Sequence, residues 1–143
     1  MAIKNQIKIH LPSLSENVAI ARVTAAAFAA QLDFTLNEIE EIKVAVSEAV
    51  SNAVIHGYVE QPGEIELIMN LYTDKLEYII ADKGKGIVNV ALAREPSYSS
   101  DPERMGLGFV FMESFMDELH VSSEVNKGTT VRMVKKIVPT AAH

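Results

Sequence analysis

The chain has 143 residues, 48% of them apolar and 22% charged, with 13 basic and 19 acidic side chains giving a formal net charge of −6 and no cysteine. That length supports one domain with a sizeable core, expected to span residues 1–143, and the composition excludes a disordered or fibrous chain. The acidic balance and the lack of a Lys/Arg cluster argue against binding the phosphate backbone of nucleic acid, and disulfide and thiolate chemistry are excluded outright.

Ile3, Ile7, Ile9 and Leu11 partly alternate with polar residues as a half-buried first strand, which Pro12 ends. Ser13-Leu14-Ser15-Glu16 has the spacing of a capping box and predicts a helix to about Gln31, rich in alanine and with Arg22 as its one full charge between Glu16 and Asp33. Thr35-Leu36-Asn37-Glu38 repeats that spacing and opens a second helix, expected to run through His56 and stop at Gly57. After a Pro62-Gly63 turn, two strands flank Asp74-Lys75, the second ending at Asp82, and their tandem order predicts an antiparallel pair. A short helical piece spans Asn89 to Arg94, and the aperiodic Pro- and Ser-rich segment after it reads as a loop. Met105-Gly106-Leu107-Gly108-Phe109 opens a third helix. Two strands around an Asn126-Lys127-Gly128 turn complete the fold, and Pro139 to His143 forms a tail. This order predicts a two-layer α/β (α+β) sandwich, with helices on one face of a mixed, mostly antiparallel sheet. The longest apolar run, around Val23 to Ala30, is far short of the roughly 20 residues that cross a bilayer. The N-terminus also lacks a secretory pattern, so a cytoplasmic chain without membrane contact is expected.

Three clusters carry chemistry. Glu48, Asn52 and His56 stand four residues apart on the second helix, beside an apolar stripe of Ile39, Ile42, Val46, Ala49, Val50 and Ala53, so an acid, an amide and an imidazole border the core. Asp82-x-Gly84-x-Gly86 follows a strand end, and Gly106-x-Gly108 opens a helix whose bare amides are a ready anion site. In that order, with a loop between the glycine pairs, they form a nucleotide pocket and its lid. The competing patterns fail: Lys127-Gly128-Thr129-Thr130 lacks the upstream glycine of a P-loop, and no histidine among His10, His56, His120 and His143 has a zinc-type partner. His56 reads as a structural group at a helix end.

These clusters resemble the N box and glycine boxes of the GHKL ATPase/kinase superfamily, which has the Bergerat ATP-binding fold. Ile20-Ala21-Arg22-Val23-Thr24, Val46-Ser47-Glu48-Ala49-Val50-Ser51-Asn52-Ala53, Met112 to Glu118 and Glu124 to Thr130 are similar, more narrowly, to the anti-sigma F factors of endospore-forming bacteria, which are serine-protein kinases. The resemblance implies ATP or ADP and Mg2+ as cofactors, with Asn52 as the metal ligand, Glu48 as the base for the attacking serine and Arg104 as the lid arginine at the terminal phosphate. It implies that Asp82 reads adenine, with Gly84 and Gly86 admitting the base and ribose and Gly106 and Gly108 offering amides to the phosphates. Thr129 supports the adenine end, with Thr130 as competitor. It further implies a homodimer, Arg22 as the contact for a sigma factor and for the anti-anti-sigma protein that is the phosphorylation substrate, and departures from the family in the lid, Glu95 to Glu103, and at Val18. The rival readings are a stress-response anti-sigma kinase, a non-catalytic nucleotide-dependent sequestering module, and a detached histidine-kinase catalytic domain.

Overall fold

The computed structural model describes residues 2–58, 61–95 and 105–137. Its elements run β1 (Asn5–Pro12), α1 (Glu16–Ala29), α2 (Leu36–Asn52), a π-helical turn (Ala53–Gly57), β2 (Glu64–Leu71), β3 (Lys75–Asp82), α3 (Val90–Ala93), α4 (Met105–Phe115), β4 (Glu118–Glu124) and β5 (Gly128–Lys136). The sheet has the order β1-β2-β3-β5-β4, and each pairing is antiparallel. The predicted two-layer architecture is therefore present, with no parallel pair among the described strands.

Strand alternation decides which face carries the helices. Ile65, Leu67 and Met69 on β2 stand opposite Asp82, Ile80 and Tyr78 on β3, and those residues in turn face Thr129, Val131 and Met133 on β5. Their apolar members are all buried and form the core with Ile42, Val46, Ala49 and Val50 of α2 and Phe109 and Met112 of α4. The alternate residues form a polar network on the other face. Gln6 donates to Asn70, Asn70 donates to Glu77, and Arg132 pairs with Glu77 and reaches Glu118.

Small residues bring α1 close to its neighbours: Ala21, Ala25 and Ala29 recur every four residues and are at most 1% exposed. Phe28 sits edge-on to Tyr78 with ring centroids 6.4 Å apart, and the Tyr78 hydroxyl donates to Ala25 O at 2.8 Å. Burial pushes the Tyr78 phenol far above its ordinary pKa, which keeps it a neutral donor.

Two helix boundaries differ from expectation. Ser13 does not cap α1; its hydroxyl accepts from Gly63 N at 2.9 Å, and Ser13 N donates to Gly63 O at 2.8 Å. The Ser-x-x-Glu spacing was satisfied by a tie to the Pro62-Gly63 turn, and α1 begins at Glu16 with no side-chain cap at Ser15. The second capping box is present, with Glu38 N donating to Thr35 Oγ1 at 3.1 Å and Thr35 N to Glu38 Oε1 at 2.9 Å. The helix it starts is not regular through His56, however. It leaves α geometry at Asn52 and widens into the π turn. No helix among the described residues is long and apolar enough to cross a membrane.

Candidate active site

An open cleft lies between α2, α4 and the sheet, lined among others by Asn52, His56, Asp82, Gly86, Phe109 and Thr129. Two of the three clusters singled out in the sequence therefore meet at the cleft, through Asn52 and His56 and through Asp82 and Gly86, while the helix that carries Gly106 and Gly108 contributes Phe109. Asn52 is the last residue of α2, and its half-buried side chain leaves Nδ2 without a hydrogen-bond partner among the described residues. A buried amide in that condition carries a desolvation cost that a ligand in the cleft would relieve. Glu48, one turn earlier, is half-buried on the same edge. The π turn carries His56 inward, where it is 5% exposed and lines the cleft. Widened turns of this kind recur at functional sites because they re-aim side chains without ending the helix.

The glycines act by letting backbones approach. A Cβ on Gly84 would stand 1.9 Å from Gly57 O, and one on Gly128 2.0 Å from Asp82 O. Lys85 N donates to Gly57 O at 2.9 Å, so the loop after β3 is fastened to the π turn. A Cβ on Gly106 would meet Glu95 O at 1.9 Å, which brings the start of α4 against the end of the α3 segment. At Gly108 the space opposite is that of the site itself: its Cβ would lie 2.9 Å from Glu48 Oε2 and 3.5 Å from Asn52 Nδ2. Only a residue without a side chain leaves that corner open.

Asp82 ends β3 at the floor of the cleft. Burial raises its carboxyl above the ordinary 3.8, while hydrogen bonds from the backbone amides of Gly84 and Thr129 pull it back down. Gly84 N donates to Asp82 Oδ1 at 2.9 Å. Thr129 is opposite Asp82 in the β3–β5 register and lines the cleft, whereas Thr130 is exposed opposite Ala81. Between those two candidates, the sheet alternation puts Thr129 at the cleft.

Arg22 is exposed on α1, between the buried Ala21 and Ala25, and does not line the cleft. Arg104 lies outside the described residues, as do residues 96–103 of the expected lid and residues 138–143. Two contributors were missed in the sequence. The Tyr58 hydroxyl accepts from Lys83 N at 2.7 Å and donates to Glu64 O at 2.8 Å. Ser123 Oγ bonds to Ile87 N, Gly128 O and the Thr129 hydroxyl. Nothing in local spacing marks either residue; the strand register that places Ser123 opposite Thr129 is what could have found it.

A family profile described as the histidine kinase-like ATPase domain matches residues 11–135. The chain is 49% identical over 142 residues to an anti-sigma F factor of Geobacillus sp. (strain WCH70), covering 97% of each chain. It is 47% identical over 133 residues to an anti-sigma F factor of Clostridium kluyveri (strain ATCC 8527), covering 92% of this chain and 94% of that one. Among solved structures, it is similar to the RsbU and RsbW domains of Rv1364c from Mycobacterium tuberculosis, with a TM-score of 0.65 at 19% identity. It is also similar to the histidine kinase domain of a blue-light activated histidine kinase from Erythrobacter litoralis EL346, with a TM-score of 0.57 at 19% identity. The match covers 96% and 84% of this chain but spans only 35% and 60% of those two, and it speaks to the fold alone. By the family profile and the near full-length relatives, the chain belongs to the histidine kinase-like ATPase family and, within it, to the anti-sigma F factors.

Proposed function

We propose that this chain is an ATP-dependent anti-sigma factor that holds a sporulation sigma factor inactive and phosphorylates a serine of its anti-anti-sigma antagonist. The observation that carries the catalytic half is the convergence on one cleft of Asp82 and Asn52, whose amide nitrogen has no partner among the described residues, with Glu48 one turn before Asn52. In this reading Asp82 and Thr129 hold the adenine end. The glycine loop at Gly84 and Gly86 passes the base and ribose, and the amides of Gly106 and Gly108 at the start of α4 face the phosphates. Arg104 would supply charge at the terminal phosphate.

Mg2+ fits the same arrangement. No group of three or more His, Cys, Asp or Glu among the described residues could hold a metal, while Asn52 offers one amide oxygen. That is the donor set of a hard cation that takes few protein ligands and fills its shell with phosphate oxygens and water. Bound there, the ion would neutralise charge on the phosphates. Glu48 takes the proton of the serine hydroxyl as that oxygen bonds the terminal phosphorus, the bond to the bridging oxygen breaks, and ADP leaves. The new phosphate places negative charge on the antagonist's contact surface and releases it. Arg22, exposed on α1 and outside the cleft lining, is the partner contact, and the protein acts as a homodimer in the cytoplasm.

The test is transfer of the terminal phosphate of labelled Mg-ATP to the purified antagonist, alongside sigma-factor capture. The expected result is that Glu48→Ala binds nucleotide yet transfers nothing, that Asn52→Ala loses Mg-dependent nucleotide binding, and that Arg22→Ala loses both partners. Capture of sigma factor with no labelling of the antagonist by the wild-type chain would remove the kinase half of the reading.

A further inference from the structure

Ser123 sits on β4 directly opposite Thr129 of β5, beside that cleft-lining residue and outside the lining itself. Its hydroxyl accepts from Ile87 N in the glycine loop at 2.7 Å, donates to Gly128 O at 3.1 Å, and lies 2.8 Å from Thr129 Oγ1. A hydroxyl has one proton and two acceptor lone pairs. With the Ser123 proton on Gly128 O, the bond between the two hydroxyls must use the proton of Thr129. Ser123 is then saturated, one proton given and two accepted. Thr129 Oγ1, its own proton committed to the wall, turns only lone pairs to the cleft.

Asp82, paired with Thr129 across β3 and β5, is likewise an acceptor when ionised. The floor of the cleft therefore presents two acceptors side by side, which match a donor on the ligand and oppose a carbonyl. We propose that Ser123 is a positioning residue that fixes the hydroxyl direction of Thr129 and so makes the site select a 6-aminopurine over a 6-oxopurine nucleotide. The inference rests on the nucleotide reading above and goes beyond it. It assigns part of base choice to a residue that does not line the cleft and would not touch the base.

The experiment is calorimetric titration of the full chain with ADP and with IDP, whose phosphates are identical so that metal and phosphate contributions cancel in the ratio. Wild type favours ADP. Ser123→Ala frees the Thr129 proton to meet the 6-oxo group, and the ADP:IDP preference falls about fivefold, the worth of roughly one net hydrogen bond. Ser123→Thr restores the hydroxyl and the preference. In a Thr129→Val background, adding Ser123→Ala leaves the ratio unchanged, because the hydroxyl it directs is gone. A Ser123→Ala protein that loses affinity for both nucleotides at an unaltered ratio overturns the proposal, since Ser123 then only fastens the glycine loop. A ratio shift that persists with Thr129→Val overturns it equally. If Ser123→Ala does not fold, Thr129→Val alone decides: the proposal requires ADP to weaken more than IDP, and equal weakening refutes it. Wild type that binds neither nucleotide sinks the nucleotide reading itself, a distinct result.

Discussion

Gly108→Ala separates the stability of the fold from the chemistry of the site. Gly108 lies within α4, where glycine costs about 1 kcal/mol relative to alanine, so the helix gains by the change. The new Cβ meets Asn52 Nδ2 and Oδ1 at 3.5 and 3.6 Å, ordinary contacts that leave the amide in place, but it meets Glu48 Oε2 at 2.9 Å. That oxygen is the end of a flexible side chain, and moving it aside costs about 0.5–1.5 kcal/mol in rotamer energy besides the contact it gives up. The two effects offset, and the net change in stability stays within about 1 kcal/mol, or about 3 °C in Tm for a chain of this size. A carboxylate moved by about 1 Å from the attacking hydroxyl is a different matter, since misplacement on that scale costs about 100-fold in rate. Thermal unfolding, nucleotide titration and phosphoryl transfer to the antagonist, measured on one preparation, should give an unchanged Tm, nearly unchanged ADP affinity and transfer slowed ten- to a hundredfold by that estimate. Transfer within twofold of wild type would show that Glu48 does not act from the position it occupies here.

Three further expectations follow from the same geometry. Gly84→Ala drives a methyl to 1.9 Å from Gly57 O, backbone against backbone with no flexible end to yield. It should cost about 3 kcal/mol or more and abolish nucleotide binding, and a Tm within a few degrees of wild type would refute the close approach. Burial holds Asp82 above the ordinary 3.8, so the folded protein binds that proton more tightly than the unfolded chain. Its contribution to stability is full below 3.8 and is lost as pH rises through the raised value, a decline that Asp82→Asn should flatten in a Tm-against-pH series. Nucleotide affinity runs the other way, weakening as pH falls through that window, because a donating amine needs the carboxylate ionised. Tyr78→Phe removes the donor to Ala25 O but keeps the ring against Phe28. The expected loss is about 1 kcal/mol in denaturant unfolding, and no loss would mean that α1 is held by packing alone.

The fold was legible wherever the physics is local. Thr35 and Glu38 satisfy each other's backbone amides within four residues, so their spacing alone located the start of α2. Ser13 and Glu16 carry the same pattern, but Gly63, fifty residues on, competes for the Ser13 hydroxyl and wins. The π turn was hidden for a related reason. Glu48, Asn52 and His56 keep a four-residue spacing in the chain, and nothing in that spacing marks the widening after Asn52 that brings His56 to the cleft. Asp82, Gly84 and Gly86 alone would read as a turn after a strand; they were visible together with Gly106 and Gly108 through their order, an Asn-bearing helix, a strand-end Asp with glycines and a second glycine pair opening a helix. Ser123 was not, because a serine on an alternating strand carries no mark of its partner; only the pairing of β4 with β5 gives it one.

What the glycines share changes how the site's motifs should be read. Gly84 against Gly57 O and Gly128 against Asp82 O are contacts between main chains at distances no Cβ permits. They join the π turn, the loop after β3 and the β4–β5 turn into one body around Asp82. Lys85 N to Gly57 O and Asn126 N to Lys85 O are the hydrogen bonds that hold that body together. The conformational freedom of Gly86 and Gly128, at φ 75° and 118°, is therefore only part of their role, and an alanine at Gly84, whose φ is not left-handed, would be excluded on space alone. The proposed role of Asp82 in reading a base calls for a carboxylate that is held in place. Here the aspartate's own carbonyl is packed beneath the next turn, and its side chain is anchored by an amide two residues later. Gly108 is the exception that completes the reasoning: the atoms nearest its missing Cβ belong to the side chains of Glu48 and Asn52, the two residues for which the chemistry is proposed.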